Sequence, residues 1–210
     1  VKVDIYIEGA GEAKLSQIEC RKGFRKLLET CGFKQMPGLT ACGGRDQAYS
    51  DFKRAHAQGE AGVFVVMLVD SEDPVADENR PWEHLARRDG WRQPPGATDE
   101  QVLLMTTCME TWIAADLEAL RAHYGACLRE SALPPQVAME SRLRREVQTA
   151  LVRATRDCKN KYEKGKRSFE VLGRVSRHGI NEGELPCFRR LVRILGGKLR
   201  MKSGQRLPPE

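Results

Sequence analysis

The chain has 210 residues, 40% hydrophobic and 30% charged, which suits one filled core under a charged surface. No apolar run approaches the roughly 18 residues of a membrane span. The opening "VKVDIYIEG" is a strand pattern and not a signal peptide, so the expected location is the cytoplasm. Seven cysteines without a C-x-x-C pair, and four scattered histidines without an H-x-x-x-H pair, argue against a zinc enzyme. They are expected as free thiols in a reducing compartment.

The net charge of +6 is unevenly spread. Positions 139–210 hold 19 Lys and Arg against 8 Asp and Glu, and the remainder holds 16 against 21. A basic last third points to nucleic acid or to an acidic partner surface, or is a solvated helical face.

In chain order, "VKVDIYI" alternates like a strand, and Leu15 to Cys31 has a helical period with Gly32 as its stop. "GLTACGG" reads as a short second strand and Arg45 to Gln58 as a second helix. Val63 to Val69 is a third strand, continuous in apolar residues as in a sheet buried on both faces. A polar stretch follows, with a short helix over Pro81 to Arg88. "QVLLMTT" is the fourth strand, and Met109 to Tyr124 is a helix stopped by Gly125. This order predicts an α/β fold, a parallel Rossmann-like sheet with helices on both faces. Residues 126–195 read as a basic, mainly helical extension of that 1–125 domain, with helices over 139–157, 169–175 and 187–195. Residues 196–210 read as a flexible basic tail.

Ligands of open parallel sheets bind at the carboxyl ends of the strands. Glu8 follows the first strand, and Asp70, Glu72 and Asp73 follow the third. If the strand persists to Glu72, side-chain alternation turns Asp70 and Glu72 to the same side. Carboxylates gathered there repel unless one is protonated or a cation binds. Oxygen ligands without His or Cys favour Mg²⁺ or Mn²⁺. The alternative is an ordinary turn in "DSEDP". Gly43, Gly44 and Arg45 after the second strand suit a phosphate, or Arg45 a salt bridge to the acids.

The pairing of "YIEGAGE" with "LVDSEDP" resembles the TOPRIM pattern of topoisomerases, bacterial primases and overcoming-lysogenization-defect nucleases. That pattern has a Glu after the first strand and Asp-x-Asp after the third. The blocks "CRKGFRKLLE", "ACGGRDQAY", "PWEHLARRDGW", "LMTTCMETWIAADLEAL" and "KYEKGKRSFEVL" resemble an RloB-related bacterial TOPRIM-like family over most of residues 1–175. Here Glu72 stands at the second acid, so either Glu72 or the adjacent Asp73 is the ligand. The resemblance implies a TOPRIM-like fold and metal-dependent cutting of DNA or RNA, with an ABC-type ATPase as partner in a phage-defence setting. Glu8 would be a metal ligand or a general base, and Glu110 a second-site ligand or merely an acid at a helix start. A basic residue from "KNKYEKGKR" would neutralise the phosphate: Lys161 or Lys164 first, with Lys159, Lys166 and Arg167 as backbone contacts. A non-catalytic nucleic-acid- or ATPase-binding subunit is the competing expectation.

Overall fold

Parallel strands cannot be joined by tight turns, so apolar runs separated by helical periods imply crossover helices. The structure, a computed structural model, describes residues 1–9, 11, 13–204 and 207. Its sheet comprises β1 (Lys2–Ile7), β2 (Gly38–Ala41), β3 (Val63–Asp70) and β4 (Val102–Met105), all parallel, in the order β2-β1-β3-β4. The helices are α1 (Lys14–Thr30), α2 (Arg45–Gln58), α3 (Pro81–Asp89), α4 (Met109–Ala115), α5 (Leu117–Tyr124), α6 (Arg144–Thr155), α7 (Lys166–Leu172) and α8 (Pro186–Leu199). This is the expected Rossmann-like α/β architecture. The chain crosses from β2 over β1 to reach β3, so the switch point lies between β1 and β3.

Alternation along β3 feeds two apolar layers. Val65, Met67 and Val69 pack with Phe52 of α2 and with Trp82 and Leu85 of α3. Val66 and Leu68 face the larger layer, with Phe24 and Leu28 of α1. Segment 126–195 contributes Leu151, Phe169, Phe188 and Leu191 to that same layer. Its helices therefore cover one face of the sheet.

Several boundaries differ from the sequence reading. The helix expected over 109–124 divides at Asp116, whose carboxylate accepts the amides of Ala119 and Ser176, both at 2.9 Å. A local side-chain cap there outweighs the continuous apolar period. The basic helix expected from Met139 starts at Arg144, after a single 3-10 turn over Met139–Ser141. Residues 196–199, expected as the start of a flexible tail, are the last turn of α8, with Gly196 and Leu199 buried. Beyond them Lys202 N donates to Gly32 O at 2.8 Å, which ties the chain to the end of α1. Among the tail residues, 205, 206 and 208–210 lie outside the described residues.

The expectation of seven free thiols is also corrected: Cys127 and Cys158 form a disulfide across a sequence separation of 31. Nothing local pairs them. The turn after α5 and the turn after α6 meet only because both helices pack on the same layer. Cys20, Cys31, Cys42, Cys108 and Cys187 are free and buried. Burial pushes the thiols of Cys20, Cys31 and Cys42 up to about 12, so they are poor nucleophiles.

Glu140 gives a pH prediction. Its carboxylate accepts the amides of Cys187 (2.9 Å) and Phe188 (3.3 Å) at the start of α8. Burial still pushes it up to about 7, against the two amides, and Glu78 adds repulsion; the Cys187 thiol beside it is itself raised by burial. A carboxyl raised in the folded state favours folding below its unfolded value of 4.5 and loses that contribution as pH rises through about 7. Glu140→Gln should therefore remove a pH-dependent loss of stability between about pH 4.5 and 7, of at most about 3 kcal/mol. Urea unfolding of both proteins at pH 5 and pH 8 measures it. Parallel pH profiles for variant and wild type would count against the assignment.

Candidate metal centre

Four loops leave the carboxyl edge of the sheet, and three of them bring in acids. Glu8 directly follows β1. Gly9, at φ +129°, turns the chain away, and its amide donates to Gly43 O at 2.7 Å. Gly43 is itself at φ +83°, and a Cβ there would stand 3.3 Å from Gly11 O. The loops after β1 and β2 thus interlock through backbone that L side chains rarely adopt.

Asp70 closes β3 and is buried. Its amide donates to Glu8 Oε2 at 3.0 Å, and its Oδ1 accepts the amide of Met109 at 2.9 Å. Glu72 reaches the same spot by a route the strand period did not indicate. The strand ends at Asp70, and Glu72 turns back with φ 67°, in the left-handed region. Such a conformation costs a non-glycine residue about 1–2 kcal/mol. Two backbone bonds hold it, Ser71 N to Met105 O at 3.0 Å and Glu72 N to Thr107 O at 2.8 Å. One carboxylate oxygen from each of Glu8, Asp70 and Glu72 lies within 4.8 Å of the others.

Arginines flank this cluster. Arg45, the first residue of α2, donates to Glu8 Oε2 at 3.2 Å and to the carbonyl of Asp70. Its other edge holds Asp89 through two bonds of 3.1 and 2.6 Å, and its plane lies 5.0 Å over Trp91. Of the two expectations for Arg45, the structure has the salt bridge. Arg144, the first residue of α6, contacts Glu72 Oε1 and stands 3.8 Å from Asp70 Oδ2. The basic third of the chain thus sends an arginine into the acid cluster.

Burial raises the Glu8 carboxyl above its ordinary value, opposed by Arg45. Burial, then the charges of Glu8 and Glu110, raises Asp70 well above its own, opposed by Arg144. Desolvated, mutually repelling carboxylates gain from a cation beside them. The donor set, all carboxylate oxygen, fits a hard divalent ion, so this triad is a group that could hold a metal.

The remaining expected residues divide. Glu110 is buried in α4, accepts the Tyr162 hydroxyl at 2.6 Å, and lines a cavity of about 430 Å³ together with Glu8 and Asp70. Lys164 lines the same cavity. Asp73 is turned outward onto Arg88 at 3.2 Å and does not join the triad. Lys159 and Lys161 are exposed and do not line the cavity, and Arg167 pairs with Glu163 at 3.4 Å. The side chain of Lys166 lies outside the described ones. Sequence reasoning passed over Arg144, Asp89 and Tyr162. Tyr162 sits inside the "KNKYEKGKR" block noted for its lysines, and an aromatic residue in so polar a run was the available signal.

The fold and site define a class: Rossmann-like α/β proteins that gather carboxylates at the switch point of a parallel sheet. The chain belongs to the family described as a domain of unknown function (DUF4276), whose model matches residues 7–196. The match spans β2–β4, α1–α7, α8 up to residue 196, and the whole acid cluster. No curated protein and no solved structure matches the chain.

Proposed function

We propose that the protein is a divalent-metal-dependent phosphodiesterase acting on DNA or RNA, a TOPRIM-type nuclease that works with an ABC-type ATPase in phage defence. The observation that supports it best is the convergence of Glu8, Asp70 and Glu72 beside a cavity that Glu110 and Lys164 also line. The nuclease class, the ATPase and the defence setting rest on the sequence blocks.

Glu8, Asp70 and Glu72 would hold Mg²⁺ or Mn²⁺, and Lewis-acid stabilisation of the scissile phosphate is the chemistry such an ion supplies. Lys164 offers the phosphate a positive charge from the cavity wall. Oε2 of Glu8 is committed to Arg45 and to the Asp70 amide. Oε1 is left as the atom that takes a proton, and burial, which raises the group above its ordinary value, makes it a stronger base than a solvated carboxylate. Arg45 opposes the burial that raises Glu8, and Arg144 opposes the burial and like charges that raise Asp70.

The test pairs binding with cleavage. Mn²⁺ should raise the Tm of the wild type, and Glu8→Ala should lose most of that rise. Chelator should abolish nicking or degradation of DNA and RNA substrates, assayed with and without the ATPase. The second reading, a non-catalytic binding subunit, is favoured by Arg45 and Arg144, which already balance the acids. An unchanged Tm in millimolar Mn²⁺, with no cleavage under any condition, would decide for it.

A further inference from the structure

The cavity beside the acid triad contains more than phosphate chemistry requires. Its volume of about 430 Å³ lies at the low end of the roughly 300–1,000 Å³ range of small-molecule sites. One part of its wall is acidic: Glu8, Asp70 and Glu110. Another is apolar, with Met105, Met109 and Phe169. Among the described lining residues Lys164 is the single cation. Gly9 lies beside the Phe169 ring, where an added Cβ would come into ordinary contact at 3.6 Å.

These features argue against a groove for duplex backbone. Proteins that track a duplex set several Lys or Arg against successive phosphates. One lysine serves one phosphate, and a sulfur and aromatic surface gives a base or sugar something to lie against. Arg45 and Arg144 reach the acids from outside the cavity lining, but against Glu8, Asp70, Glu72 and Glu110 these two and Lys164 leave an excess of negative charge, which a bound cation would offset for an entering anion.

We propose that this cavity takes a single unpaired nucleotide unit, one phosphate with its own sugar and base, in a metal-dependent manner. The inference deepens the nuclease reading and rests on it. Its substrate would be a strand end or a single-stranded segment, whose base is free to enter. Lys164 and the metal-bearing acids would take the phosphate, and Met105, Met109 and Phe169 would receive the base or sugar.

Ser16 provides the test. It lines the cavity from the first turn of α1, is half-buried, and is not a member of the triad. Ser16→Phe should fill the cavity and leave the acids in place. Thermal shift in Ca²⁺ or Mn²⁺ would compare AMP and dTMP with inorganic phosphate, and short oligothymidylate with a blunt hairpin duplex. In the wild type the mononucleotides and oligothymidylate should raise Tm beyond metal alone, whereas phosphate and hairpin should add little. Ser16→Phe should keep the metal response and lose the nucleotide response. A metal response with nucleotides no better than phosphate would overturn the pocket assignment and leave the metal site standing. So would an unchanged nucleotide response in Ser16→Phe. No metal response in the wild type would overturn the nuclease reading and this inference together.

Discussion

Asp70→Asn is expected to abolish the Mn²⁺-induced rise in Tm and all chelator-sensitive cleavage, while the metal-free protein stays as stable as wild type or becomes more so. The two halves have separate causes. Asparagine keeps an oxygen where Asp70 Oδ1 accepts the Met109 amide at 2.9 Å, so the link from β3 to α4 survives. It also removes a carboxyl that burial and the charges of Glu8 and Glu110 disfavour in its ionised form. What it gives up in the metal-free protein is the contact of 3.8 Å with Arg144, which is too long to be a strong pair. The metal, by contrast, would lose the buried member of a three-carboxylate set. Outer-shell changes already cost 10–100-fold in metal affinity, so loss of a direct ligand should exceed about 100-fold. Calorimetric titration with Mn²⁺, alongside melting with and without chelator, separates the two effects. A variant that binds Mn²⁺ like wild type would remove Asp70 from the centre. A variant that fails to fold would mean that the Asp70 charge is structural, balanced by Arg144.

The second large effect concerns the disulfide. Cys127→Ser should destabilise the oxidised protein by about 3–4 kcal/mol, because closing a loop of this length limits the unfolded chain by about that amount. For a chain of this size the loss corresponds to a fall in Tm of roughly 6–16 °C. Reducing agent should bring the wild type down to the variant and leave the variant unchanged. Thiol titration under denaturing conditions should count five thiols before reduction and seven after it. Seven before reduction would show that the bond is not made. The bond also bears on the site. Cys158 opens the segment that brings Tyr162 to Glu110 and Lys164 to the cavity, and Asn160 in that segment donates to His123 Nε2 at 3.0 Å. Oxidation therefore anchors the strap that lines the cavity, and metal affinity measured with and without reductant would register any loosening.

Much of the scaffold was legible because its signals are local. The apolar run over 63–69, the period of 15–31 and the glycines before Arg45 each act on a few neighbouring residues. β1, β3, β4 and α1–α3 accordingly lie within a residue or two of where the sequence puts them, and β2 starts at the expected Gly38 but ends at Ala41, before the glycine pair. Glu8 and Asp70 were legible for a related reason. Acids that directly follow strands of a parallel sheet must emerge at the same edge, whatever the loops do. Glu72 was right in its place and wrong in its route: alternation suggested a strand, whereas the backbone turns left-handed to bring the carboxylate back.

The sequence by itself determined the layered α/β architecture, the edge at which the acids gather, and the excess of positive charge in the last third. Only the tertiary structure decided that Arg144 stands on Glu72, that Tyr162 holds Glu110, that Cys127 meets Cys158, and that α8 packs its final turn against the core. The reason is separation along the chain. Periodicity and turn chemistry act over a few residues. These pairings join positions tens of residues apart, and they form only when helices from the basic third settle on one face of the sheet.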